Sequence, residues 1–309
     1  MELKWLEDFV TLAGTASFSR AARERNVTQS AFSRRIKQLE AWLGTTLINR
    51  ASLPAELTSE GKALLPIAHE TIRTFYGLRE RLNPDDCNGR LTFAALHTLA
   101  VTLLPAWLQQ VQTALPDLET AVIPDRGGIE ANLDALINGE ADLFLTYHHP
   151  HVQLLLDPQQ YDWLDLGAER LLPVAAPHLC EKLGHNGPEG LIERAIRLRQ
   201  TLPYLDYGQS SFFGMALRRV FEGAPLRRKT VHQNTISAGL RECALAGWGV
   251  CWLPERLVRQ DMEEGRLILA TASPEWILPL GIRLYRSQQE DRAVLSRLWA
   301  LARTSGPIG

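Results

Sequence analysis

Sulfur is scarce in this chain. Its four cysteines, Cys87, Cys180, Cys243 and Cys251, make no CxxC pair and no zinc-ligand spacing. That removes a cysteine-built metal centre and leaves a reducing cytoplasm as the simpler setting. Long apolar runs are missing as well. The opening MELKWLEDFV carries Glu2, Glu7 and Asp8, so it reads neither as a signal peptide nor as a membrane span. GxSxG, P-loop and HExxH motifs are absent, and Ser, His and Asp occur only scattered. Neither catalytic residues nor a metal or cofactor is expected. No low-complexity tract or short-period repeat is visible.

Overall positive charge is lacking too. The net charge is −2 over 309 residues, and 45% of them are hydrophobic. Such a length exceeds what one ordinary core supports, so two or three domains are expected. Charge is nevertheless concentrated. Arg20 to Arg50 holds six Arg and one Lys against Glu24 and Glu40, a local +5 that leaves −7 for the remainder. A basic patch on a mildly acidic body fits a DNA reader rather than a general polyanion binder.

The same region, SFSRAARERNVTQSAFSRRIKQLEAWLGTTLINR from Ser17 to Arg50, has two short helical patterns around a tight break at Asn26-Val27. Ala21 and Ala22 suit close helix–helix contact. Thr28 can cap the second helix. Phe32, Ile36, Leu39 and Leu43 then form one apolar stripe at spacings of 4, 3 and 4. The opposite face presents Gln29, Ser30, Ser33, Arg34 and Lys37, side chains that reach phosphates and base edges. The pattern is a helix-turn-helix with Thr28 to Leu43 as its recognition helix. Leu3 to Ala13 predicts a helix packed beneath it. After Gly44, Leu47, Ile48 and Leu57 around Pro54 predict a two-stranded wing, with Arg50 placed to touch a phosphate.

Thr58-Ser59-Glu60 opens a long helix reaching to about Leu82. Leu64, Ala68, Ile72, Phe75, Leu78 and Leu82 repeat at spacings of 4, 4, 3, 3 and 4, a coiled-coil-like seam that predicts a homodimer. Pro66 inside it should remove one hydrogen bond or kink the helix. Asn83 to Gly89 is turn chemistry and marks a linker. From Arg90 onward strands alternate with helices, which implies a parallel sheet with helices on both faces. A second alternating unit begins near Gly167. Two α/β lobes joined by crossing strands leave a cleft where ligands sit at strand ends and helix N-termini. The domains read as an all-α winged helix-turn-helix over 1–58, a linker helix and hinge over 59–89, and a two-lobed unit over 90–309. Its first lobe takes about 90–166 and 268–309, its second about 167–267.

The whole chain resembles a LysR-type transcriptional regulator. Ser17 to Arg50 followed by LTSEGKALLP carries the specific part, echoed by LLPAWL, INGEADL and ALAGWGVCWLPE. The resemblance implies a bacterial DNA-binding domain, a dimerising linker helix and an effector domain of periplasmic-binding-protein type. It also implies a homotetramer built from two kinds of dimer that bends double-stranded promoter DNA, with RNA polymerase as a further partner. By motif position Thr28, Gln29, Ser30, Ser33 and Arg34 carry the DNA contacts, joined on chemistry by Lys37 and Arg50. A small-molecule effector between the lobes would meet Thr98, Leu99, Thr146, Tyr147, Gly208, Gln209, Ser210 and Thr235, whose hydroxyls and amides suit a carboxylate. Within the family, Lys4-Trp5-Leu6, Phe32-Ser33-Arg34-Arg35-Ile36, Ala95-x-His97-Thr98-Leu99 and Trp252-Leu253-Pro254-Glu255 are similar to the hypochlorite-responsive regulators. The positions matched to their sensing methionines fall on Phe213, Ile236 and near Val111, while the three Met are Met1, Met215 and Met262. Effector binding is therefore ranked above oxidant sensing through Met.

Other readings compete. Cys243 and Cys251 would be the pair for a peroxide-type disulfide, against two buried apolar residues. His148, His149 and His151 would be metal ligands, against a surface turn around Pro150. A cytoplasmic solute-binding protein or an enzyme would share the two-lobed fold but has no use for a DNA-reading domain.

Overall fold

The computed structural model describes residues 2–50, 52, 54–82, 89–124, 128–154, 156–184, 190–289 and 292–304. At the N-terminus α1 (Leu3–Thr15), α2 (Phe18–Glu24) and α3 (Gln29–Leu43) enclose Leu6, Phe9, Phe32, Ile36 and Leu39, all buried. Each boundary has a local cause. Ser17 caps α2 by accepting from Arg20 N, and Thr28 caps α3 by accepting from Ala31 N; each satisfies a first-turn amide that the helix leaves open. Between them Asn26 takes a left-handed φ of 52°, a conformation asparagine adopts more readily than most residues.

One carboxylate ties these helices together. Asp8 on α1 is fully buried and accepts from Arg25 Nε at 2.9 Å and from Arg35 Nη1 at 3.2 Å. Arg25 also pairs with Glu7. A buried charge without partners is costly, so the end of α2 and the middle of α3 are held where their arginines reach Asp8. Two cations of the basic cluster thus face inward and leave the others to the surface.

The wing is the antiparallel pair β1 (Ile48–Asn49) and β2 (Glu56–Leu57). It leads into α4 (Ser59–Leu82), which runs unbroken through Pro66. Thr58 Oγ1 accepts from Gly61 N at 3.0 Å and donates to Thr46 O at 2.8 Å. A Cβ on Gly61 would lie 2.3 Å from the Leu47 carbonyl oxygen, so the base of α4 rests directly on wing backbone. The expected seam divides in two. Ala68 is buried and Leu64 and Ile72 pack against the helix-turn-helix core, so that half is used within the chain. Phe75 and Leu78 of the seam are 57% and 42% exposed and, with Ile67 at 58%, which the expected seam did not include, form an open apolar face. The side chain of Leu82 and residues 83–88 of the expected linker lie outside the described residues.

From Arg90 the elements are β3 (Arg90–Ala95), α5 (His97–Thr102), α6 (Leu104–Ala114), β4 (Glu119–Val122), α7 (Ile129–Ile137), β5 (Leu143–His148) and β6 (Tyr161–Ala175). Then follow α8 (Pro177–Lys182), α9 (Leu191–Arg197), β7 (Leu202–Asp206), α10 (Phe212–Phe221), β8 (Arg228–Gln233) and α11 (Ser237–Leu245). The last are β9 (Cys251–Pro254), α12 (Glu255–Glu263), β10 (Ile268–Leu269), β11 (Leu278–Ser287) and α13 (Ala293–Thr304). The single helix expected over Thr98–Ala114 is two, broken at Leu103 where Pro105 opens α6, because proline fits only the first turn. The sheet is mixed rather than purely parallel. β3 lies parallel to β4 and β5, but β11 and β6 run antiparallel from Leu278↔Leu171 to Ser287↔Tyr161. β11 joins β5 on one side, and β9 and β10 join the far end of β6. β7 and β8 pair in parallel. β6 and β11 therefore cross between two lobes, and each lobe hangs its helices on them. No described helix is long and apolar enough to cross a membrane.

Asp8→Ala removes the shared partner of Arg25 and Arg35. Both guanidiniums are half-buried and water can reach them, so the cost is about 1–2 kcal/mol, below that of a fully buried pair, which should appear as a lower midpoint of the first unfolding transition in urea. An unchanged midpoint would show that the helices are held by packing alone.

Candidate nucleic-acid interface and inter-lobe site

The apolar stripe of α3 is consumed by the core, which fixes what the helix shows outside. Gln29, Ser30, Arg34 and Lys37 are exposed on its outer face, and Ser33 is half-buried beside them. Thr28 Oγ1 holds the first turn by accepting from Ala31 N at 3.3 Å and lies 3.2 Å from Ser30 Oγ. An open groove separates this face from the wing, lined by Ser17, Ser19, Gln29, Ser33, Arg50 and Ser52 among others. Serines 17, 19 and 52 were not singled out by sequence reasoning; isolated serines next to a turn carry no periodic signal. Arg50 is more than a free wing cation. Its Nη2 donates to Glu40 Oε2 at 2.9 Å, its Nη1 to Ser33 Oγ at 3.4 Å, and its guanidinium lies 5.3 Å from the Phe18 ring centre. Glu40 also accepts from Leu47 N at 3.0 Å and Ile48 N at 3.3 Å. Glu40 and Arg50 thus lock the wing to the recognition helix. This clamp fixes the angle between the outer face of α3 and the wing.

Between the lobes lies a small cavity of about 50 Å³. Thr98, Ser210 and Thr235 line it, together with His97, Gly128, Ile129, Ser211, Phe212, Phe213 and Ser237. Leu99 and Thr146 are fully buried in the first lobe, and Thr146 Oγ1 donates to Tyr147 O at 3.2 Å. Gly208 and Gln209 stand beside the cavity without lining it, Gly208 in a left-handed turn with φ 76°. The two lobes meet through a direct hydrogen bond: Thr98 Oγ1 donates to Ser237 Oγ at 2.9 Å. Tyr207 Oη lies 3.0 Å from the same Ser237 Oγ. Ser237 is thus central to the closure, and its position at the start of α11, two residues after Thr235, was the only sequence signal for it.

Aromatic rings fill the rest of the cleft. The Tyr147 ring lies 5.8 Å from Phe212 and 4.9 Å from Phe213, and Phe213 lies 5.0 Å from Tyr207. Burial pushes both tyrosine hydroxyls well above their ordinary pKa. The Tyr147 hydroxyl has no hydrogen-bond partner among the described residues. Its electrostatic neighbour is Glu169, whose carboxyl is itself pushed up by burial. The helix starts matter most for ligand chemistry. His97 and Thr98 open α5, Ile129 opens α7, Phe212 and Phe213 open α10, and Ser237 opens α11. Four helix N-termini converge on one small space, and each carries a partial positive charge and open amides.

The competing sites fare differently. Cys251 is fully buried and burial pushes its thiol far up, which suppresses the nucleophilic thiolate; Cys180, Cys243 and Cys251 are free thiols. The HHPH segment is a surface turn around Pro150 as expected: Pro150 and His151 are exposed at its tip, closed by the antiparallel bridge between His149 and Val152, and His149 alone is buried, 7% exposed. Its Nδ1 accepts from His151 N at 3.3 Å. Among the described residues no group of three metal-ligating side chains converges.

Comparison with known proteins agrees with this arrangement. Residues 3–62 match the family model of the bacterial regulatory helix-turn-helix protein, lysR family, and residues 85–306 match the LysR substrate binding domain. The HTH-type transcriptional regulator YjiE of Escherichia coli K12 is 32% identical over 307 residues, covering 97% of this chain and 93% of the relative. HypT from Salmonella typhimurium, described as a hypochlorite-specific LysR-type regulator, is 30% identical, covers 98% and 97% of the two chains, and superposes with a TM-score of 0.57. Vibrio fischeri DarR, solved in complex with DNA, is 26% identical, covers 98% and 99%, and gives a TM-score of 0.55.

Ser237→Ala removes the oxygen shared by Thr98 Oγ1 at 2.9 Å and Tyr207 Oη at 3.0 Å. At about 1 kcal/mol for each bond, a net loss of about 2 kcal/mol, or roughly thirtyfold, is expected. Amide exchange at the starts of α5 and α11 should quicken by that factor, while α1 to α3 stay unchanged. Equal exchange in both proteins would show that the aromatic cluster alone closes the cleft.

Proposed function

The chain belongs to the lysR family of bacterial regulators, and from that premise we propose that its promoter binding is set by a small anion held between the lobes. It is a LysR-type transcriptional regulator with an effector-binding domain, not an enzyme by kinship. The four converging helix N-termini carry the effector reading. They favour negative charge without needing a buried cation, and the cavity size fits a group of a few atoms at the closed point. A carboxylate accepting from the amides of α5 and α10, flanked by the Thr98 and Thr235 hydroxyls, satisfies the geometry. Tyr147 contributes an unpartnered hydroxyl at the edge of the same aromatic cluster.

On the DNA side, Gln29 and Arg34 are the bidentate readers of base edges in this proposal, and Ser30, Ser33, Lys37 and Arg50 the phosphate and sugar contacts. DarR, a relative solved with DNA, supports double-stranded DNA as the partner. The open face of Ile67, Phe75 and Leu78 supports a homodimer through α4, with a tetramer as the next assembly and RNA polymerase as a further partner, acting in the cytoplasm. The proposed domain limits are 1–58, 59–89 and 90–309, with the lobes parted where β6 and β11 cross. Oxidant sensing of the HypT kind is the lesser reading. Phe213 and Ile236 replace methionine at the matched positions, and Phe213 is locked among Tyr147, Tyr207 and Phe212.

Arg34→Ala should abolish retardation of the chain's own upstream DNA at moderate salt while leaving the dimer and its melting point intact. Wild-type binding should weaken steeply as salt rises, since phosphate contacts release counterions. Wild-type protein that fails to retard that DNA at any salt would sink the regulator reading. Thr98→Val should leave basal DNA affinity unchanged but blunt the thermal stabilisation given by small carboxylates.

A further inference from the structure

Tyr76 stands on α4 where that helix leaves the core of its own domain. Ala68, Ile72 and Tyr76 follow one another at spacings of four, which puts them on one face of a helix. Ala68 is buried and Ile72 packs against the helix-turn-helix core, while Tyr76 is 41% exposed. A phenol suits such a border, because its ring is apolar and its hydroxyl takes a polar partner. The partner is on α1: Tyr76 Oη donates to Glu7 Oε1 at 2.6 Å.

The contact continues beyond Glu7. The other carboxylate oxygen, Oε2, pairs with Arg25. Arg25 Nε donates to Asp8 Oδ1 at 2.9 Å, and Asp8 Oδ2 accepts from Arg35 Nη1 at 3.2 Å. Tyr76, Glu7, Arg25, Asp8 and Arg35 thus form one unbroken line in which donors and acceptors alternate. The line joins α4, α1, the residue that ends α2 and the middle of α3. Asp8 is fully buried and the Glu7 side chain largely so. In a shielded network each link holds the geometry of the next. At the far end Arg35 turns to Asp8 while Arg34, its neighbour, is exposed on the outer face of α3. Whatever moves Arg35 moves that face.

The helix α4 is therefore attached to its domain at two distant places. At the base Gly61 rests on the Leu47 carbonyl of the wing. From Gly61 to Tyr76 is 15 residues, about 22 Å of helix. The contacts between, Leu64, Ala68 and Ile72, are apolar and without direction. Tyr76 adds a directional one. The last helix of the effector domain, α13, comes within 8 Å of α4 between Cα atoms. The helix whose tilt Tyr76 fixes is thus the one that the effector domain touches.

We propose that Tyr76 is a positioning residue for DNA recognition: through Glu7, Arg25 and Asp8 its hydroxyl fixes the angle of α3 to α4. The inference rests on the DNA-reading role given above to α3.

The test uses the full chain with Tyr76→Phe, which keeps the ring and deletes the hydroxyl. Affinity for the chain's own upstream DNA should fall about fivefold, the size of one net hydrogen bond. The salt slope should stay the same, because no phosphate contact is removed. Arg35→Gln should weaken binding as well, and the double variant should bind no worse than the weaker single one. Separate sites with no shared partner would instead multiply their losses. Thr74→Val, whose hydroxyl donates to Glu70 O of the same helix, should leave affinity unchanged. In the DNA-free protein, Tyr76→Phe should move the Nε–H resonances of both Arg25 and Arg35. A lower melting point with unchanged DNA affinity, multiplied losses in the double variant, or a resonance shift that stops at Arg25 would each overturn the assignment while leaving the DNA-reading role of α3 standing. Wild-type protein that retards no DNA would overturn both together.

Discussion

The pairing of β6 with β11 is the constraint on which the effector domain depends. These strands run antiparallel from Leu278↔Leu171 to Ser287↔Tyr161. One end is stitched to β5 and the other to β9 and β10. A slip of one residue would turn every side chain to the wrong face, so the two lobes cannot slide. They can twist and bend about the crossing. That restricts relative motion to opening and closing of the cleft, and it places Thr98 of one lobe opposite Ser237 of the other. The hydroxyl bond between them is weak in itself; its value is that the strands deliver it to the same place at each closure.

Electrostatics divide the labour along the chain. The N-terminal domain turns two half-buried arginines, Arg25 and Arg35, towards Asp8 and exposes the rest on α2, α3 and the wing. The effector domain is acidic overall, yet its cleft gains positive potential from helix ends rather than from side chains. Dipoles of this kind bind a small anion without placing a permanent full charge in a closing cleft, where burial would penalise it. Phe212 and Phe213 set the other boundary by occupying the space that a larger ligand would need.

Much of this was legible in the residues, and the remainder has physical reasons for being hidden. The recognition helix was readable because its cap, stripe and polar face are all local: Thr28 to Leu43 needs no distant partner to be recognised. The alternation after Arg90 gave the two-lobed plan. The seam of α4 was only half readable, because Leu64, Ala68 and Ile72 serve a core whose need for them is set by α1 in three dimensions. Spacing alone cannot separate a stripe that covers its own domain from one that awaits a second copy. Likewise Arg50 looks free in sequence, and only the fold brings Glu40 and Phe18 to it. Ser237 and the Phe212–Phe213 pair were hidden for the same reason. Each gains its role from a contact tens of residues away.

Gly61 has a mechanical consequence. Because no side chain separates it from the Leu47 carbonyl, the base of α4 has no cushion against the wing and moves with it as one piece. A helix of 24 residues is about 36 Å long. A rotation of about 5° at that base then carries the far end through roughly 3 Å, close to the spacing of successive base pairs along a duplex. The helix acts as a pointer with a rigid pivot, and a small change at the distant end becomes a small, predictable change in the angle at which the wing and α3 are presented.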